Sequence, residues 1–403
     1  MKILFVAPYI STIYGGTSKI VKELIEGIAR LDVSVDLITT NANGTDNLDV
    51  PLNKWINQEN YRIQYFPCWH QDDFIISYSL VKWLFNNVKK YEIVHTQTVF
   101  APIISIANWI CKSSQTPYVV TPHGMLEPWA LSYKGWKKKL YYSIIENKLI
   151  QKSQAIQTTS SLEFQNINAL RFKHSVFVPN GVHRQDFELP AEAEVFYQQF
   201  PETKNKTLIL FLGRIDPKKG LDLLAPAFAK VHQQFPHTHL VVAGPDNIGF
   251  LEKAQNYFLQ AGCFDAVTFT GMLNGSLKYA ALSATNLYVA PSYSEGFSMS
   301  ILEGMASGLP CIITTGCNFP EAAAAQAAHV VEISPNAIAD SLIECLTEPE
   351  QAKAMGDRAR DFIFNNYTWD RIAVNLCKVY QAIIDKQPLP QSLETQSNEF
   401  IEK

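Results

Sequence analysis

"TLILFLGRIDPKKGLDLL", from Thr207 to Leu224, decides how the chain is divided. An unbroken apolar run ends at Gly213 and Arg214, a turn with proline and two lysines follows, and a helical pattern begins near Leu221 and runs to about Phe235. Apolar runs without alternation are what a strand buried on both faces requires, so this reads as a parallel strand feeding its crossover helix. The same pattern occurs once before, where "KILFVAP" leads into "TSKIVKELIEGIARL". Between the two starts lie "VSVDLITT", "YRIQYFP", "YEIVHTQ", "PYVVTPHG", "QAIQTTS" and "VFVPNGV". After the second come "HLVVAGP", "VTFTGML", "LYVAPSYSEG", "PCIITTG" and "HVVEI". Strands alternating with helices give an α/β chain of two Rossmann-like, doubly wound halves, linked near residues 183–205. The expected domains are 1–185 and 186–369, with a last helix at about 370–386 and a tail, 387–403, expected to be disordered.

Composition bounds the rest. Of 403 residues, 47% are hydrophobic and 18% charged, the mix of a soluble globular protein. A net charge of −4 supplies no global field for nucleic acid, and no nucleic-acid partner is expected. Seven cysteines without a CxxC pair read as reduced, mostly buried thiols of a cytoplasmic protein. Cys68 and His70 in "CWH" could ligate a metal, but no second pair completes a site, so packing is the expected role. "MKILFVAPY" meets Pro8 too early for a signal segment, and no apolar run reaches the roughly 20 residues of a spanning helix.

Three stretches carry chemistry. "YSEGFSMSILEGMASGLP", Tyr293 to Pro310, sets Glu295 in a loop and Glu303 in the second turn of a helix that Ser298 caps and Gly308 and Pro310 end. Free N–H groups at such a start favour anions or hydroxyls, and Gly296 lets a ligand approach the backbone. Otherwise Glu295 only complements the helix dipole and Glu303 is a solvated helix residue. In the opening stretch, Arg214 can fork onto phosphate oxygens and Lys219 adds a point charge at a strand's carboxyl end; the alternative is a turn with solvated cations. No Walker loop and no GxGxxG occurs. "IYGGTSK" puts Gly15 and Gly16 between the first strand and its helix, and "VVTPHGMLEPW" puts His123 at a strand end, either as a structural histidine or as a catalytic group facing a cleft.

Together, "EGFSMSILE", "GRIDPKKG", the Gly15–Gly16 loop, "VPNGV" and "TPHGMLEPWAL" resemble the retaining GT-B glycosyltransferases of family 4, in the family's order, over about residues 1–385. The resemblance implies two Rossmann-like domains facing across a cleft, a C-terminal helix crossing back to the first, and a nucleotide-sugar donor. It implies that Arg214 and Lys219 hold the donor diphosphate and that Glu303 bonds the ribose. Glu295, with the amides of Gly296, Phe297 and Ser298, would grip the sugar, and His123 would lie beside it. Gly15 and Gly16 would border the diphosphate or the acceptor. Gly213, Gly244 in "AGPD", and Met272 and Leu273 in "TGML" would line the donor pocket. No cofactor and no metal are implied, and the acceptor would be a saccharide or a lipid-linked hydroxyl. Two departures stand out: "TTGCNFPEAAA" sets Cys317 and Asn318 where a glycine pair is usual, and Gly124 follows His123 where aspartate is frequent.

"EPWALSYKGWKKKLYYS" interleaves lysines with aromatic rings. Trp136, Lys137, Lys138 and Lys139 could rest on an anionic membrane at its inner face, each lysine adding about 1 kcal/mol; the alternative is an exposed helix with snorkelling lysines. Rival functions are a glycoside hydrolase using Glu295 and Glu303, which leaves Arg214 and Lys219 idle, a nucleotide-sugar epimerase, and a non-catalytic nucleotide-sugar sensor.

Overall fold

The structure, a computed structural model, describes residues 1–71, 74–127, 140–172, 174–188 and 191–390. Trp136, Lys137, Lys138 and Lys139, and the tail beyond residue 390, lie outside the described residues. The described residues divide into two compact units: Met1–Gly181 with residues 369–390, and Val182–Thr368.

The N-terminal unit is built on β1 (Lys2–Val6), β2 (Ser34–Thr40), the hairpin β3–β4 (Ala42–Asn43 and Asp46–Asn47), β5 (Trp55–Asn57), β6 (Arg62–Phe66), the hairpin β7–β8 (Trp69–Gln71 and Phe74–Ile76), β9 (Ile93–Gln97), β10 (Tyr118–Thr121), β11 (Ala155–Thr158) and β12 (Ser175–Phe177). Its eight-stranded sheet runs β12-β11-β10-β9-β1-β2-β6-β5, parallel except where β5 turns back along β6. Helices α1 (Gly16–Ala29), α2 (Tyr78–Asn87), α3 (Pro102–Ser114) and α4 (Ser161–Ala169) belong to this unit. All of Ile93–Gln97, Tyr118–Thr121 and Ala155–Thr158 is buried, as the apolar runs require when both faces are covered.

In the C-terminal unit, β13 (Thr207–Leu212), β14 (Thr238–Ala243), β15 (Val267–Gly271), β16 (Leu287–Ala290), β17 (Cys311–Thr314) and β18 (His329–Val331) form an all-parallel sheet in the order β15-β14-β13-β16-β17-β18. Numbered within the unit this is 3-2-1-4-5-6, the dinucleotide-fold order whose crevice opens between the first and fourth strands, here β13 and β16. Its helices include α5 (Leu221–Gln234), α6 (Gly275–Ala284), α7 (Met299–Ala306), α8 (Pro335–Thr347) and α9 (Pro349–Asn366).

The last helix, α10 (Trp369–Ile384), returns to the N-terminal unit. Its Trp369 indole donates to Glu23 of α1 at 2.7 Å, and the Tyr380 hydroxyl meets His95 of β9 at 2.5 Å. Every strand read from the sequence is present. The short β5 and the two hairpins were not anticipated. Cys68 sits by the Asn41 side chain and His70 by Asn47, so the two engage different asparagines. All seven cysteines are free thiols. Among the described residues, no helix is long and apolar enough to cross a membrane.

Candidate active site

The loops after β13 and β16 flank the switch point, and both bear charge. β13 ends at Leu212, so Gly213 and Arg214 begin the loop, with the Arg214 side chain exposed. Asp216 caps the single turn Pro217–Lys219 by accepting from the Lys218 amide at 3.0 Å, which fixes where Lys219 stands. The Lys219 ammonium donates to Glu295 at 2.5 Å, with the two side chains only 11% and 9% exposed. The loops are joined by backbone too, because the Tyr293 amide donates to the Lys218 carbonyl at 2.8 Å.

Glu295 is held on three further sides. Ser292 Oγ donates to its carboxylate at 2.7 Å, its amide donates to the Gly316 carbonyl, and its carbonyl accepts from the Asn318 side chain. Asn318 adopts a left-handed conformation, φ 54°, that asparagine tolerates. The residue marking the departure from the family pattern therefore props the glutamate loop. Burial pushes the Glu295 carboxyl up, but Lys219, Ser292 and Lys218 together leave its pKa below the ordinary value. Burial lowers Lys218, with Glu295 opposing and the Lys219 and Arg214 charges adding to the shift.

Ser298 is the N-cap of α7, as read, although its hydroxyl makes no capping bond. Glu303 lies in the second turn, but it is not a solvated helix residue: it is 5% exposed, and Lys278 of α6 donates to it at 2.7 Å. Phe297 packs its ring on Phe319 and Tyr367, which anchors the loop between Glu295 and α7. Gly244 follows β14 with its amide on the Gly271 carbonyl, and a Cβ there would fall 1.8 Å from the Gly213 carbonyl oxygen, so only glycine fits. Met272 is half exposed, whereas Leu273 turns its side chain into the core.

In the N-terminal unit, Gly15 ends the turn after β1 with φ 80°, and Gly16 opens α1. A Cβ on Gly16 would meet nothing within 4 Å. His123, two residues beyond β10, has φ 53°, and its Nε2 lies 2.8 Å from Oε1 of the buried Gln97. Burial pushes its imidazole down to about 4, so it is neutral at pH 7. Motif reading missed Lys278, Ser292 and Gln97 and marked Asn318 only as a departure from the family pattern, because each is defined by a partner distant in sequence or by a loop conformation that spacing does not encode.

The glycosyl transferases group 1 model matches residues 193–362, and the glycosyltransferase family 4 model matches residues 14–186. An uncharacterised glycosyltransferase of Methanocaldococcus jannaschii is 24% identical over 96% of this chain and 99% of its own length. A phosphatidyl-myo-inositol mannosyltransferase of Mycobacterium leprae is 23% identical over 95% of this chain and 97% of its own length. Among solved structures, sucrose-phosphate synthase of Thermosynechococcus elongatus superposes with a TM-score of 0.75 at 19% identity, covering 96% of this chain and all of that one. Anabaena Alr3699/HepE in complex with UDP and glucose gives 0.74 at 17% identity, over 95% of this chain and all of its own. With one model on each α/β unit and a 3-2-1-4-5-6 sheet followed after its fourth strand by the paired glutamates, the chain belongs to the family 4, group 1 glycosyltransferases of GT-B fold.

Proposed function

We propose that this glycosyltransferase moves a hexose from a nucleoside-diphosphate sugar to a saccharide or lipid-linked hydroxyl, with retention at the anomeric carbon and without a metal ion. The observation that carries this is the Lys219–Glu295 contact at the switch point, a cation and an anion held together where a sugar diphosphate needs one of each. In the transfer, the bond from the anomeric carbon to the diphosphate oxygen breaks and a bond to the acceptor oxygen forms. The acceptor proton passes to the departing phosphate. Arg214 and Lys219 stabilise the charge growing on the diphosphate, together with the amides at the start of α7, as preorganised dipoles do elsewhere. Glu295 accepts from sugar hydroxyls, Glu303 from the ribose, and neutral His123 orients the transferred ring. Uridine is the first candidate base, in line with the UDP held by the Anabaena neighbour; GDP-mannose is the second, in line with the GDP-mannose-dependent mannosyltransferase among the relatives.

The saccharide acceptor is supported by the β7–β8 hairpin. It leaves β6 at the same carboxyl edge as the Gly15–Gly16 turn and exposes Trp69, Phe74 and Ile76 on its outer side, with Tyr78 following. Such rings are flat, amphipathic platforms for sugars. A cytoplasmic reaction at the inner face of a membrane, reached through the 136–139 strip, accords with a lipid-linked acceptor.

The deciding experiment is a thermal-shift screen over UDP- and GDP-sugars, followed by assay of nucleoside diphosphate release with and without EDTA and by NMR of the product anomer. One donor raises Tm in proportion to ln(1 + [L]/Kd). A flat panel, a release abolished by EDTA, or an inverted anomer would each remove its part of the proposal.

A further inference from the structure

His123 is presented by an unusual turn. It and Gly124 both have positive φ, 53° and 74°, and a left-handed conformation at a non-glycine residue persists only where its surroundings hold it. The holding group is on α4. Glu163, 1% exposed, accepts from the Gly124 amide at 2.6 Å through one carboxylate oxygen. Its other oxygen accepts from the Thr159 amide at 2.7 Å and the Thr159 hydroxyl at 3.0 Å. Ser160, the N-cap of α4, accepts from the Glu163 amide at 3.1 Å, while the carboxylate reaches one residue beyond the cap to Thr159, so the acid is held at both ends and has almost no freedom. Capping a helix start needs only a carboxylate reaching back along its own chain. This one also spans to the loop after the adjacent strand β10, a link that the helix start does not require.

The ring is held separately. Gln97 ends β9 and is in register with Thr121, which brings its side chain under His123. Its oxygen takes the Nε2 proton, leaving Nδ1 as the ring's acceptor. Gln97 is 1% exposed, and its amide nitrogen has no partner among the described residues. An unsatisfied buried donor lowers stability, so a leucine would serve packing better; what glutamine adds is the oxygen.

We propose that Glu163 and Gln97 are positioning residues for His123: Glu163 fixes the backbone turn through the Gly124 amide, and Gln97 fixes the ring in the Nε2–H form with Nδ1 free to accept from a substrate hydroxyl. The inference rests on the role assigned to His123 above, and its tests separate the two.

Glu163→Gln keeps the shape but turns one acceptor into an N–H2 group that repels a backbone N–H. Its nucleoside diphosphate release, measured with the sugar nucleotide that shifts Tm, falls about tenfold or more, with KM for that donor within about twofold of the parent. In a His123→Ala background the same change costs less than about twofold, because the residue it positions is gone. Full additivity of the two losses overturns the proposal. His123→Ala at the parental rate overturns the role of His123 instead. Independently of activity, 15N imidazole spectra, assigned by the signal lost in His123→Ala, show the Nε2–H form in the parent and a mixture of tautomers in Gln97→Leu. An unchanged tautomer in that variant refutes the Gln97 half. If Glu163→Gln does not fold, Glu163→Asp is read in the same way, and collapse of both assigns Glu163 to the fold and overturns its half.

Discussion

The two carboxyl edges of this molecule are organised by different chemistry. In the C-terminal unit, charges pair with charges: Lys219 with Glu295 and Lys278 with Glu303. In the N-terminal unit, the corresponding edge is built from a neutral imidazole, an amide and the buried Glu163 carboxylate, which accepts from backbone N–H groups and the Thr159 hydroxyl. Ion pairs can exchange a partner for a ligand group of the same sign, so they suit a site that receives a charged diphosphate. A network held by backbone amides and uncharged side chains has no such freedom, and it suits a site that orients hydroxyls.

The sharpest way to break that contrast is Lys219→Met. It leaves Glu295 charged and enclosed, and we expect a stability loss of about 3 kcal/mol in urea melts. Pairing it with Glu295→Gln restores most of that stability, while turnover stays down by about tenfold or more in both variants. A single variant as stable as the parent would show the pair to be idle.

Acid separates the edges next. The folded-state pKa of His123 is depressed to about 4 and that of His95 to about 3, from a usual 6.5. As pH falls below 6.5, the unfolded chain takes up protons that the folded chain refuses, so stability declines, down to about pH 4 on account of His123 and about pH 3 on account of His95. Glu295, lowered instead, keeps its contribution until the pH drops below the ordinary carboxylate range. Burial also lowers His239 of β14, so both units weaken, but His95, His123 and His174 all lie in the N-terminal unit, and amide exchange between pH 6.5 and 4 should loosen that unit more; equal loosening would contradict the division.

Asn318→Ala tests the prop beneath Glu295, with an expected cost of about 1–2 kcal/mol, and Asn318→Gly keeps the left-handed backbone while removing the side-chain bond. Ser298→Ala should be smallest. Its hydroxyl makes no capping bond, so the cost is a few tenths of a kcal/mol against about 1 for an ordinary N-cap. A full kcal/mol in a melt would show that the hydroxyl caps α7 after all.

The framework was readable because parallel strands covered on both faces must be continuously apolar, and "TLILFL", "HLVVA" and "LYVA" are. Helix α10 was readable from its periodicity, and the N-cap at Ser298 from the glycine, hydroxyl and apolar residues around it. Lys278 was not, because nothing in "GSLKYAAL" differs from a solvated helical lysine; only the fold, which brings its ammonium to Glu303 of α7, reveals the partner. Glu163 and Gln97 were hidden for the same reason, since register between neighbouring parallel strands is set by the whole sheet. The hairpins escaped because strands of two or three residues show too little alternation to register as a period.

The return of α10 has a consequence for how the molecule comes into being. Trp369 and Tyr380 complete the packing of α1 and β9, yet the ribosome makes them only after residues 182–368. Domains generally fold as they emerge, and here the first must wait with an uncovered helix face while the second is synthesised. Expressed by itself, the segment Met1–Gly181 would lack its last structural layer, and a stable excised version would need Trp369–Ile384 grafted onto its end.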